Sequence, residues 1–204
     1  MELRFITLSG AAASGKTTIA KAQLNWMSRL IVPVVSTTTR PPRSSDLRGE
    51  YEHKTRKEFE TLKKFGGLLW WKEIGGEFYG TRKEVVDEIL TQNKKAGIMI
   101  LTPDSIPLLK NYIAEKGMAD AVYSVYILTF SYRHILEARM RRRGDTEESI
   151  RERLCLAEEW DAWASYNYSI FDRFLTNAEE DHSRPALKAA KFIHEEIIKL
   201  AFPR

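Results

Sequence analysis

Gly10-Ala11-Ala12-Ala13-Ser14-Gly15-Lys16-Thr17 stands between a short apolar run, Arg4-Phe5-Ile6-Thr7-Leu8, and a segment whose Ala20, Leu24 and Met27 keep helical spacing. The eight residues match G-x-x-x-x-G-K-[ST], in the order strand, loop, helix that the mechanism of that motif requires. Glycines there let backbone N–H groups curl around a phosphate, and the helix N-terminus adds its partial positive charge. Lys16 is placed to reach the outer phosphate oxygens and the Thr17 hydroxyl to hold Mg²⁺, with Thr18 next in the same turn. A glycine turn that merely caps a helix has no need of Lys and Thr in those two places.

Four further apolar runs, at 31–35, 98–101, 122–128 and 170–175, read as strands, several of the kind buried on both faces. Helical patterns fall at 17–29, 82–93, 106–116, 132–142, 146–164 and 186–200, the last behind Ser183 and Pro185. The alternation predicts an α/β fold, a parallel five-stranded sheet with helices on both faces. Residues 36–95 break the rhythm. Rich in Thr, Pro and Arg at first, then aromatic and studded with glycine, they read as a lobe inserted into a core of residues 1–35 and 96–204.

The 204 residues suffice for one well-buried domain, and 43% hydrophobic with 29% charged content excludes a disordered chain. A single cysteine, Cys155, excludes an intrachain disulfide framework. It falls in a helical pattern and reads as a buried structural thiol, which suits a reducing cytoplasm. No apolar run approaches the length of a membrane span, and Met1-Glu2-Leu3-Arg4 leads into a strand without the apolar stretch of an export signal. The net charge of +4 is compatible with anionic partners of several kinds. His53, His134, His182 and His194 are scattered without metal-ligand spacing.

Two more basic elements narrow the choice of anion. Ser36-Thr37-Thr38-Thr39-Arg40-Pro41-Pro42-Arg43 follows the second strand, and its prolines hold two arginines, three apart, on an extended backbone. Guanidinium forks grip phosphate oxygens bidentately, and Tyr51 and Tyr79 offer hydroxyl donors of the right kind. Between residues 133 and 153 there are seven arginines and no lysine, where a merely solvated helix face would mix the two. Arginines that end one helix and begin the next can close over a transferring phosphoryl group. No aromatic platform accompanies them, which argues against a nucleic-acid patch.

In these motifs, and in Tyr79-Gly80-Thr81, the chain resembles the guanylate kinases, nucleoside monophosphate kinases of the P-loop class, over nearly its whole length. Residues 10–17 look like the family's ATP loop, 36–43 like its S-x-T-T-R-x-P-R segment, 79–81 like its Y-G-[ST] element and 139–153 like its lid, with the E-E-x-I-x-x-R ending. The resemblance implies ATP as phosphoryl donor, Mg²⁺ as cofactor and a (deoxy)nucleoside 5′-monophosphate as acceptor, with neither membrane nor nucleic acid as partner. It implies that Lys16, Arg139, Arg143 and Arg153 hold the ATP phosphates and the transferring group, with Asn177 near the adenine. Arg40, Arg43, Tyr51 and Tyr79 would hold the monophosphate, and Ser36, Thr81 and Asp104 resemble the family's base contacts. Residues 36–95 would be the monophosphate lobe and about 139–153 the lid.

The chain departs from the family pattern twice. Counting back from Tyr79-Gly80-Thr81, the family's guanine-reading glutamate falls at Trp70, in Leu68-Leu69-Trp70-Trp71-Lys72-Glu73. An indole offers an N–H donor and a π face and cannot accept the paired donors of a guanine edge. Trp70 is therefore expected in the wall of an altered base pocket, Trp71 in the core, and Glu73 as a substitute acceptor. After the third strand, Thr102-Pro103-Asp104 keeps one acid of the family's D-x-D, which leaves Mg²⁺ to Thr17, the phosphates and water. Besides a guanylate kinase, three activities stay open: the same chemistry on a non-guanine or modified-pyrimidine nucleotide, a kinase for a sugar phosphate or a base within DNA, and a phosphopeptide-binding module without catalysis. The intact 10–17 loop and lid arginines argue against the last.

Overall fold

The computed structural model describes residues 3–43, 46, 49–92, 95–129, 132–177 and 186–201. Five strands, β1 (Phe5–Gly10), β2 (Ile31–Pro33), β7 (Ala96–Ile100), β8 (Val122–Leu128) and β9 (Arg173–Thr176), pair in parallel in the order β2-β7-β1-β8-β9. β1 takes the centre because all six of its residues are buried. Its alternate residues serve opposite faces. Ile6 and Leu8 pack with Ile19 and Ala20 of α1 (Lys16–Trp26) and Ile193 and Ile197 of α7 (Leu187–Ala201). Phe5 packs on the other face with Ile106, Leu109 and Ile113 of α4 (Ile106–Glu115) and Ala164 of α6 (Glu147–Tyr166). The expected α/β sheet with helices on both faces is what the chain forms. Ser183 and Pro185 lie outside the described residues.

The last strand begins later than the apolar run at 170–175 suggests. Tyr168–Ile170 forms a 3₁₀ turn, and Asp172 starts the pairing by exchanging backbone and carboxylate hydrogen bonds with Ser124 (2.9 and 2.8 Å). Cys155 is exposed, against the expectation of a buried thiol. α6 buries Ile150, Leu154, Ala157, Asp161 and Ala164, a stripe at helical spacing that turns Cys155 to the outside.

A second sheet, in the order β4-β3-β6-β5, is built from β3 (Ser36–Thr38), β4 (Tyr51–His53), β5 (Leu68–Ile74) and β6 (Glu77–Arg82). β3 and β4 run parallel, while β6 is antiparallel to both β3 and β5. Its outer face is covered by α2 (Arg56–Lys64), whose start is fixed by a reciprocal Thr55–Glu58 capping box and whose Phe59 packs on Leu68 and Phe78. α3 (Lys83–Thr91) returns the chain to the core, and α5 (Arg133–Arg142) leads into α6. Among the described residues no helix is long and apolar enough to cross a membrane.

One buried acid locks the long helix to the sheet. Asp161, 1% exposed, accepts from the Tyr126 hydroxyl (2.7 Å) and from the Thr129 N–H (3.1 Å) and hydroxyl (2.8 Å), just past the end of β8. Removing the carboxylate strands three donors in the interior. Asp161→Ala is expected to lower the unfolding free energy by about 3 kcal/mol in urea titrations, with Asp161→Asn less affected because its amide oxygen still accepts.

Candidate active site

β1 hands the chain to α1 through the 11–15 loop, at the C-terminal edge of the sheet. Gly15 closes that loop with φ of +100°, and a Cβ there would collide with Asn177 Nδ2, which donates to the Ser14 carbonyl (2.8 Å). Lys16 Nζ donates to the carbonyls of Gly10 (2.9 Å) and Ala11 (2.5 Å). Burial and then the charge of Arg143, with Arg153 adding to it, push its ammonium down to about 7 against the pull of Glu50. No acid stands in the first turn of α1, so the positive end of that helix is not offset. The loop and the α5–α6 helices also share a small core, in which Ala11 packs on Leu136 and Met140 of α5 and Ile150 and Leu154 of α6. Arg139 reinforces the tie by donating to the carbonyls of Ala13 (3.2 Å) and Asn177 (3.3 Å).

A second cationic group follows β3. Arg40, 6% exposed, donates through Nη2 to Asp46 Oδ1 (2.8 Å) and through Nη1 to the Pro41 carbonyl (2.7 Å), and its guanidinium carbon lies 5.1 Å from the Tyr51 ring centroid. The other oxygen of Asp46 accepts the Arg43 backbone N–H (2.8 Å), so one carboxylate orders both arginines of the loop. Tyr51 and Tyr79 meet edge to face with centroids 6.3 Å apart. Burial first, then Glu50 and the Tyr79 hydroxyl, raise the Tyr51 phenol, which keeps it a neutral donor. Asp46 was not singled out in the sequence; a carboxylate three residues beyond Arg43, in the same loop, was the available signal.

One cleft of about 1060 Å³ joins these groups. Its walls include Gly10, Ala12, Ala13, Gly15, Lys16, Thr17, Thr18 and Asn177 from the loop, α1 and the end of β9, Arg40, Arg43, Tyr51 and Tyr79 from the second sheet and its loop, and Arg139, Arg143 and Arg153 from α5, α6 and the turn between them. Ala11 and Ser14 are buried beneath the loop and do not reach the cleft wall. A guanylate kinase family model matches residues 2–194.

The chain belongs to the guanylate kinase family. The guanylate kinase of Chelativorans sp. is 31% identical over 192 residues, 93% of this chain and 84% of that one. The guanylate kinase of Mesorhizobium japonicum is 35% identical over 176 residues, 85% and 77% of the two chains. The crystal structure of guanylate kinase from Anaplasma phagocytophilum superposes with a TM-score of 0.54 at 17% identity, covering 100% of this chain and 96% of that one, a likeness of fold. Membership is consistent with a nucleoside monophosphate kinase.

Within this guanylate kinase-like frame the wall at β5 is distinctive. The pairing of β5 with β6 shifts between Leu68 and Trp70, a bulge that reverses the phase of the strand. Leu68 therefore packs under α2, whereas Trp70, Lys72 and Ile74 share the opposite face with their partners Thr81, Tyr79 and Glu77. Gly80 permits the crossing, since a Cβ there would stand 2.7 Å from the Trp70 carbonyl. Trp70, 5% exposed, packs in the main core and also lines the cleft, as does Ser36. Thr81 is fully buried and off the cleft wall, and Asp104 is drawn away into an ion pair with Lys72.

Two expectations for this stretch fail for the same reason. Strand alternation puts Trp71 and Glu73 on the outer face. Trp71 is 43% exposed, with Lys63 Nζ 3.6 Å from its ring centroid, and is not core. Glu73 pairs with Arg56 (3.4 Å) on that face and offers no acceptor to the cleft.

The donor set suits Mg²⁺ carried on a polyphosphate. Among the described residues no cluster of three or more His, Cys, Asp or Glu could cage a metal ion, and Thr17 supplies a hydroxyl on the cleft wall at the head of α1. Magnesium, which keeps several waters in such sites, fits this sparse set.

The Arg40–Asp46 pair has a pH signature. Burial works to raise the Asp46 carboxyl, but Arg40 and the Arg43 N–H outweigh it and hold it below the usual range. Its contribution to stability is therefore complete above the unfolded value of about 3.9 and is lost as pH falls through the lower folded value. Calorimetry of wild type and Asp46→Asn from pH 7 to pH 3 is expected to show a Tm gap that is constant at the upper end and narrows below roughly pH 4.

Proposed function

We propose that the protein is an ATP-dependent nucleoside monophosphate kinase, transferring the γ-phosphoryl group of ATP to the phosphate of a (deoxy)nucleoside 5′-monophosphate. The observation that carries this reading is one cleft lined by two cationic groups, Lys16 with its loop and Arg40 and Arg43 with Tyr51 and Tyr79, together with Arg143 and Arg153, whose charges are felt at Lys16. On this reading residues 36–95 are the acceptor lobe, residues 1–35 and 96–204 the donor core, and 139–153 the lid. In-line transfer forms a bond from an acceptor phosphate oxygen to the γ-phosphorus and breaks the bridging bond to the β-phosphate, with no protein nucleophile. Loop N–H groups and Lys16 hold the donor, Asn177 lies toward its adenine, and the loop arginines and tyrosines hold the acceptor phosphate. Arg139, Arg143 and Arg153 stabilise the charge of the group in transit and displace water from it. Thr17, with the phosphates and water, would hold Mg²⁺, which would supply charge neutralisation at the donor oxygens.

Trp70 in the cleft wall and the outward Glu73 favour a base other than guanine. A buried guanine edge left without an acceptor costs roughly 1–3 kcal/mol, about an order of magnitude or more in preference. Release of ADP from MgATP, measured against the common ribo- and deoxyribonucleoside monophosphates and 5-hydroxymethyl-dUMP, tests both parts. The expected result is a kcat/KM for a non-guanine acceptor at least about tenfold above that for GMP or dGMP, and turnover abolished by Lys16→Ala. A guanine preference would reduce Trp70 to packing. Silence across the panel would transfer support to a sugar-phosphate or DNA-base kinase, or to phosphopeptide binding.

A further inference from the structure

The turn that joins the two lid helices contains a carboxylate that neither the motifs nor the proposed chemistry uses. α5 ends at Arg142, and Arg143-Gly144-Asp145-Thr146 carries the chain to α6, with Gly144 at φ +85° and Thr146 capping α6 through the Ser149 N–H (3.2 Å). The Asp145 side chain is only 13% exposed, and its own N–H is held by the Met140 carbonyl (3.1 Å). Arg143 grips it in fork fashion, Nε to Oδ1 at 3.1 Å and Nη2 to Oδ2. Arg153, ten residues on along α6, brings its Nε to 4.0 Å from Asp145 Oδ2 and donates the same N–H to Ser149 Oγ (3.0 Å).

A count of donors shows what this leaves over. A guanidinium has five N–H groups. Asp145 takes two of them from Arg143, and Ser149 takes the Nε–H of Arg153, so the remaining donors of both side chains are left to the cleft that both line. Like charges would otherwise push the two apart, and Arg43 of the acceptor loop adds its field at the same place. Burial works to raise the Asp145 carboxyl, but Arg143, Arg153 and Arg43 outweigh it and keep it ionised well below neutral pH.

We infer that Asp145 is a positioning residue, which holds Arg143 at the end of one lid helix beside Arg153 on the other so that both present their free N–H groups together to a phosphoryl group in the cleft. What the arginines act on rests on the kinase reading above; how they are held does not. Charge alone makes the opposite prediction, because removing a negative charge from an anion site should tighten anion binding.

The test compares wild type, Asp145→Asn and Asp145→Glu as full chains. Binding of inorganic tripolyphosphate and of MgATP is followed by titration calorimetry, and kcat and KM are measured with whichever monophosphate the wild type turns over. Asp145→Asn is expected to bind tripolyphosphate about tenfold more weakly and to lose about thirtyfold in kcat, with the acceptor KM changed less than about threefold. Asp145→Glu, which keeps the charge, is expected to recover tripolyphosphate affinity to within about threefold of wild type. Equal or tighter binding by Asp145→Asn overturns the inference, as does a fall in Tm with affinity unchanged. Should Asp145→Asn fail to fold, a tenfold loss of affinity in a folded Asp145→Glu overturns it as well. A wild type silent on every monophosphate would sink the kinase reading, while the tripolyphosphate comparison would still decide the role of Asp145.

Discussion

Eight cationic residues, Lys16, Lys21, Arg40, Arg43, Arg139, Arg142, Arg143 and Arg153, line one cleft, and their mutual repulsion is the constraint to which the surrounding structure answers. Several of them are held by acceptors. Lys16 and Arg139 are tied to loop carbonyls, Arg40 to Asp46 and Arg143 to Asp145. Burial first, and then the neighbouring charge of Arg143, lower the ammonium of Lys16, and the carbonyls of Gly10 and Ala11 that accept from it carry no full charge to offset them. A polyphosphate would supply that missing charge, which is why the arrangement suits an anionic substrate better than a neutral one.

The two sides of the cleft are built by different means. On the side of Lys16 the loop is continuous with the central strand and packs through Ala11 onto both α5 and α6. The side of Arg40 rests on the second sheet, and the bulge in β5 decides which of its aromatic residues faces the cleft. The extra residue at the bulge lets Leu68 complete the small core beneath α2 while Trp70 joins the main core.

The residue pattern made the core sheet readable because buried parallel strands are continuous apolar runs, and it singled out the cleft-lining cations because glycine, lysine and arginine at those spacings have few other uses. The second sheet was harder to see. β3 and β4 have three residues each and are polar, so neither apolar run nor alternation marks them, and they are stable only through their partners. α2 did leave a local trace in Thr55 and Glu58, a capping box that its strongly charged sequence obscures. Cys155 and Trp71 were misjudged because hydrophobicity alone does not say which face a residue takes once a helix stripe or a bulge has fixed the phase.

What the sequence by itself determined is therefore the α/β order of the core, the glycine-bounded loop at 10–17 between strand and helix and the presence of two arginine-bearing segments, all properties of residues close together in the chain. Only the tertiary structure decided that Trp70 enters the cleft wall while Glu73 leaves it, that Asp104 is drawn to Lys72, and that Asp46 and Asp145 hold the arginines. The reason is physical. Side-chain direction depends on strand phase and on which charges converge from distant segments, and both are settled only when the sheets pair and the helices pack.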